Sequence, residues 1–268
     1  MTRLRVAAVL LALVAGAATA VQRPEQTREE REFLDAVHVA LRHRDCAAVV
    51  RQLNDGLAAK LPDAFLMAGT MYEEGLCLKP SWDRAAEHYG RAWSTGHTGG
   101  AYRMIAGLAG REPGAALWWA QRVGQAMPGE CRVPAEVHGD VQAFVTALNA
   151  WPAGRLQACS HVAGVVATVI GEAEYPGEAL GQMLEGSVLM RYRPAEARLE
   201  WQNLETRALA HGGLLRGEPL QDRESRAARD RMRAALETLG QRALARYPRP
   251  EGIDPNWLIE VHYEFQLR

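Results

Sequence analysis

The chain has 268 residues, 48% of them hydrophobic, with 31 Lys and Arg against 32 Asp and Glu and a formal net charge of −1. So even a balance excludes a basic nucleic-acid or anionic-surface binder as the main reading. The length suits one large domain or two modest ones. The basic residues are all Arg apart from Lys60 and Lys79.

Residues 1–20 read as a secretory signal. Arg3 and Arg5 supply the positive start, Val6 to Val14 an apolar core, and Ala18-Thr19-Ala20 a small-x-small cleavage site. No Cys stands immediately after that site, which argues against a lipid anchor. The run from Val6 to Val21 is shorter than the ~20 apolar residues a spanning helix needs. Cleavage removes two arginines and no acid, moving the charge from −1 to −3. The expectation is export, with no membrane span after cleavage. The alternative is an inner-membrane protein anchored by an uncleaved segment.

The 4 cysteines, Cys46, Cys77, Cys131 and Cys159, all follow the signal. In an oxidising compartment an even number reads as disulfides, and four residues allow three pairings. The sequential pairing, Cys46–Cys77 and Cys131–Cys159, is expected because it keeps each bridge inside one half of the chain. Each bridge would contribute about 3–4 kcal/mol if unstrained. No Cys-x-x-Cys occurs and no His is spaced as a co-ligand, so neither a metal nor a cofactor is expected.

The N-terminal half reads as helices. Thr27-x-x-Glu30 is a capping box ahead of a stripe of Phe33, Leu34, Val37 and Leu41. Asp45 caps a second helix carrying Val49, Val50 and Leu53, with a stop expected at Asn54-Asp55-Gly56. Pro62-Asp63 opens a third helix that ends at Gly75. Ala68-Gly69 then recurs as Ala106-Gly107, and Ala85 to Tyr89 as Ala115 to Trp119. Helix pairs that repeat in this way stack into an array suited to holding other proteins. Trp93, Trp118 and Trp119 read as interhelical packing in preference to a ligand-stacking cluster.

The pattern Ala64-x-Leu66-x-x-Gly69-x-x-Tyr72-x-x-Gly75, followed by Asp83-Arg84-Ala85-Ala86-x-x-Tyr89-x-x-Ala92-x-x-x-Gly96-His97, resembles the Sel-one-like repeat, a relative of the tetratricopeptide repeat. The likeness covers roughly residues 60 to 125. It implies protein–protein scaffolding with no catalytic residues.

Val137, Val141, Phe144, Val145 and Leu148 form a further helical stripe, stopped by Trp151-Pro152. The β-branched run Val162 to Ile170 is expected as a strand. A short helix to about Leu184 is expected after Tyr175-Pro176. Gly186 to Arg193 alternates Val188, Met190 and Tyr192 as a strand, Pro194 to Ala197 turns the chain, and Leu199 and Trp201 mark the next strand. A glycine-rich stretch around His211 follows. From Asp222 a long helix aligns Ala228, Met232, Ala235, Leu236, Leu239, Ala243 and Tyr247. Its end at Pro248 and Pro250 leads to a last strand, which places Trp257, Ile259, Val261, Tyr263, Phe265 and Leu267 on one face.

Tyr175-Pro176-x-x-Ala179, then Gly186-x-Val188, a strand pair, a helix ending in Tyr247 and Pro250, and a last alternating strand together resemble the TonB C-terminal domain over roughly residues 170 to 268. The resemblance implies a periplasmic unit whose last strand pairs with an extended peptide by β-augmentation. The residues so implicated are Glu260, His262, Glu264 and Gln266. A sheet edge of this kind also offers a route to a homodimer.

No Gly-x-Ser-x-Gly elbow, phosphate-binding loop or His-Glu-x-x-His helix occurs, and carboxylate pairs such as Glu29-Glu30 and Glu73-Glu74 read as caps or solvated helix faces. No enzymatic activity is expected. The fold class is therefore α followed by α+β. A signal occupies 1–20, a helical repeat domain 21–152, and a TonB-like antiparallel domain with the order helix-strand-strand-helix-strand 153–268. The function expected is that of a periplasmic adaptor for an envelope protein or extended peptide. The alternative is a divergent energy transducer for TonB-dependent outer-membrane receptors. The chain lacks the Pro-rich linker of such transducers and carries a helical array in its place.

Overall fold

The computed structural model describes residues 27–152, 154–173, 184–208 and 223–265. The signal expected at 1–20, the motif residues Tyr175, Pro176 and Ala179 with the helix expected around them, the stretch around His211, and Gln266 and Leu267 lie outside the described residues. The protein is mostly helical, with a small antiparallel sheet near the C-terminus.

Helix α1 (Arg28–Arg42) begins as its sequence predicts. Glu30 N–H donates to Thr27 Oγ1 at 3.2 Å, and Thr27 N–H donates back to Glu30 Oε2 at 2.7 Å. Asp45 caps α2 (Cys46–Ala58) by accepting from Ala48 N–H. The expected stop at Asn54-Asp55-Gly56 does not occur, and the helix continues to Ala58. Gly56 serves instead as a point of close approach. A Cβ there would lie 2.7 Å from the Phe33 ring and 2.8 Å from Ala64.

Helices α3 (Pro62–Glu74), α4 (Trp82–Ser94), α5 (Thr98–Leu108) and α6 (Pro113–Arg122) follow, each packed on the next. Gly75 closes α3 in the left-handed region at φ +70°, which glycine adopts without Cβ strain. His97 opens α5: its Nδ1 accepts from Gly99 N–H at 3.1 Å, so Nε2 carries the proton toward Asp63 Oδ1 at 3.0 Å. That pair ties the start of α3 to the start of α5. The notches left by glycine are filled unequally. Tyr89 occupies the space a Cβ on Gly69 would need, whereas Trp82 plugs the equivalent space at Gly107. Trp119 is thereby left to stack edge-on against Trp93 and Trp118, with centroids 6.1 and 5.3 Å away.

The expected stripe on α7 (Val141–Asn149) is only half used. Phe144 and Leu148 are buried, while Val141 and Val145 are 60% and 41% exposed and Val137 lies in a separate 3-10 turn. The break falls at Asp140, whose Oδ1 accepts from Gln142 and Ala143 N–H and restarts the helix.

The strand expected over Val162 to Ile170 is a helix. It lies within α8 (Arg155–Glu172), in which every residue from Ala158 to Ile170 is buried. A helix covered on all sides shows no amphipathic period, and burial outweighs the weak helix propensity of Val and Ile. Ala158, Ala163, Gly164 and Ala167 let neighbours approach. The helix is contacted by α5, α6 and the long α9 (Arg223–Arg246). Of the stripe expected on α9, Ala228, Met232, Leu236, Leu239, Ala243 and the adjoining Tyr247 are buried, and Ala235 faces solvent.

Strands β1 (Leu184–Arg193), β2 (Arg198–Ala208) and β3 (Ile259–Phe265) form one antiparallel sheet in the order β2-β1-β3. Val188, Met190 and Tyr192 point from β1 into the core, with Ile259 and Val261 beside them on β3. One apolar cluster runs from Tyr102 on α5 through α8 to Val261, across residue 152, and a smaller one joins α1, α2 and α3. Disulfides join Cys46 to Cys77 and Cys131 to Cys159.

Candidate functional site

The sheet edge is built from the end of α9 onward. Pro248 and Pro250 stop the helix, Gly252 turns at φ +74°, and Asp254 Oδ1 accepts from Asn256 N–H at 2.8 Å. Trp257 is buried, and from Ile259 the chain pairs with β1. Tyr263 donates from its hydroxyl to the Ala173 carbonyl at 3.3 Å, pinning β3 to the end of α8.

The register places His262 opposite Leu189, Glu260 opposite Arg191 and Glu264 opposite Ser187. Glu260, His262 and Glu264 therefore share the sheet face that turns away from the core, as the period of two requires. Glu260 accepts from Arg191 Nε at 2.9 Å. Among the described residues Glu264 is exposed and has no ion-pair partner. No strand lies beyond β3 among the described residues. An edge strand directs alternate N–H and C=O groups away from its only neighbour.

Of the other residues singled out in the C-terminal half, Gly186 and Val188 lie on β1, with Val188 buried. Tyr247 joins three elements. Its hydroxyl donates to the Ala106 carbonyl on α5 at 2.6 Å and lies 2.9 Å from Thr168 Oγ1 on α8. Burial holds its pKa above the ordinary phenol value, with Arg246 opposing. Pro250 is half-buried in the connection to β3. Tyr192 makes a second link between sheet and helices, its hydroxyl 2.9 Å from His161 Nε2 on α8.

A charged network escaped the sequence. Glu73, expected on a solvated helix face, has a side chain only 16% exposed. It accepts from Arg246 at 2.9 Å and from the Tyr89 hydroxyl at 2.6 Å. Glu172 at the end of α8 takes Arg103 at 3.3 Å and Arg246 at 3.2 Å. Two carboxylates and the guanidiniums of Arg103 and Arg246 thus meet where α3, α5, α8 and α9 converge, with Arg242 at the rim 4.0 Å from Glu172. Each carboxylate has a basic partner, so the group reads as a clamp. No sequence signal could reveal it, because its members lie on four separate helices.

No family model, curated protein or solved structure matches the chain. Among the described residues no group of three His, Cys, Asp or Glu could hold a metal ion, and no helix is long and apolar enough to cross a membrane. A shallow groove of about 510 Å³ between α1 and α2, lined by Asp35, Val39, His43 and Gln52, gathers no convergent chemistry. The two disulfides point to an oxidising, extracytoplasmic compartment.

Proposed function

We propose that this protein is a periplasmic adaptor: a Sel-one-like helical array joined to a TonB-like C-terminal unit whose last strand takes up an extended segment of another envelope protein. The single observation that carries the reading is the character of β3. Natural edge strands are blunted by Pro, by charged side chains and Lys above all, by bulges or by inward-pointing charges, and of these β3 carries only the outward Glu260 and Glu264. Ile259–Phe265 contains no Pro and no Lys, its inward residues Ile259 and Val261 are apolar and buried, and its ladder with β1 runs without a register shift. The opposite pairing, β1 with β2, is interrupted between Ser187 and Val188. β3 is the edge prepared for another strand.

Amide hydrogen exchange on the full chain tests this. An extended peptide that binds should slow exchange across residues 259–265, and the same peptide N-methylated at alternate backbone positions should not bind. Protection confined to the helical array, or binding indifferent to N-methylation, would overturn the strand-addition reading.

A further inference from the structure

We propose that the segment taken up by β3 presents an arginine or lysine opposite Glu264. This inference rests on the edge reading above and adds to it a charge preference.

The outward face of β3 bears Glu260, His262 and Glu264, and Ile259–Phe265 contains neither Lys nor Arg. The two carboxylates are not equivalent. Arg191 stands on the central strand between Glu260 on β3 and Glu200 on β2, and it already donates to Glu260 at 2.9 Å. Glu264 faces Ser187, which offers no charge. An incoming strand hydrogen-bonded to β3 places its own side chains about 5 Å from those of β3. A basic side chain there completes a cross-strand ion pair, while an acidic one faces like charge. A second copy pairing through the same edge in a continuous antiparallel sheet could be centred on His262, and this arrangement would set Glu260 against Glu264 of the other copy. A peptide of basic character avoids that repulsion.

The preference should be modest and legible. Opposed charges across an exposed sheet pair change affinity by a few-fold, and like charges lower it similarly. Three fluorescent peptides of alternating apolar and polar residues, identical except for a central Lys, Gln or Glu, would be titrated against the full chain by anisotropy. The order Lys, Gln, Glu is expected, with roughly threefold to tenfold between the ends. Glu264→Lys should reverse the order and Glu264→Gln should flatten it. The spread should shrink in 0.5 M salt, where screening reaches only a few ångströms.

Equal binding of the three peptides with β3 protected from exchange would overturn the charge preference and leave the edge reading standing. No protection of β3 by any peptide would overturn both. Concentration-dependent protection of β3 without peptide, with a dimer in sedimentation, would make a second copy the occupant and overturn the proposal.

Discussion

Arg246, in the last turn of α9, donates to Glu73 on α3 at 2.9 Å across 173 residues of sequence. The bond closes the C-terminal half of the chain onto α3. Arg246 also reaches Glu172, so a single guanidinium bridges carboxylates from two helices. The pair is neither fully buried nor fully solvated, with side chains 35% and 16% exposed.

Glu73→Ala should therefore destabilise the fold by about 1–3 kcal/mol, between the values for surface and buried ion pairs. It strips an acceptor from Arg246 and from the Tyr89 hydroxyl, whose pKa burial and Glu73 together raise. Glu73→Gln keeps an acceptor for Tyr89 and should cost less. Urea unfolding of Glu73→Gln, Arg246→Met and the double variant should give a coupling energy near 1 kcal/mol. Strict additivity would mean the contact contributes nothing.

Gly69→Ala and Gly90→Ala should move stability in opposite directions. A Cβ on Gly69 overlaps the Tyr89 ring, so alanine overpacks the α3–α4 contact at a cost of about 1–3 kcal/mol. A Cβ on Gly90 meets nothing within 4 Å, and alanine inside α4 should stabilise by roughly 0.5–1 kcal/mol. Thermal melts of the two variants decide the matter by sign alone.

His161 gives the fold an acid-sensitive point. Burial lowers its pKa below 6.5, aided by Arg249 and opposed by the Pro248 carbonyl. The unfolded chain takes up the proton first as pH falls, so the stability that neutral His161 provides is present above pH 6.5 and is lost as pH drops toward the folded value. His88 is lowered in the same sense by burial. Denaturant midpoints measured between pH 7.5 and 5 should decline, and His161→Gln should shallow that decline. An unchanged slope in the variant would assign the decline to other groups.

Replacing Cys131 and Cys159 together by Ala should cost about 3–4 kcal/mol, the loop-closure value for a bridge spanning 28 residues. Both cysteines are fully buried, so reductant should act only as the protein unfolds. Melting of the oxidised protein with and without reductant, beside the double variant, tests this order of events.

Legibility followed how one-sided each element is. β3 was readable because its inner residues, Ile259 and Val261, alternate with the outward Glu260 and His262. The capping box of α1 and the glycine stop of α3 were readable because they are local. α8 was misread because burial on every side erases the period that marks a helix. Gly56 was misread because a close approach from Phe33 looks, in sequence, like a stop. For the candidate site, the alternation of β3 could be read directly, whereas its position outside β1 depends on pairing that no single segment encodes. The clamp of Glu73 and Arg246 was invisible, since each is an ordinary surface residue until the other arrives.

The burial of α8 bears on how this architecture can be inherited. A helix with no solvent-facing side belongs to neither neighbour alone. Cutting at Trp151-Pro152 would leave α5 and α6 without their floor, and cutting after Glu172 would strip the sheet and α9 of theirs. The C-terminal unit is therefore not a portable cassette. A gene fusion that carried the β3 edge into another protein would have to bring α8 and supply a new surface for its far side, so array and edge are expected to travel through evolution together.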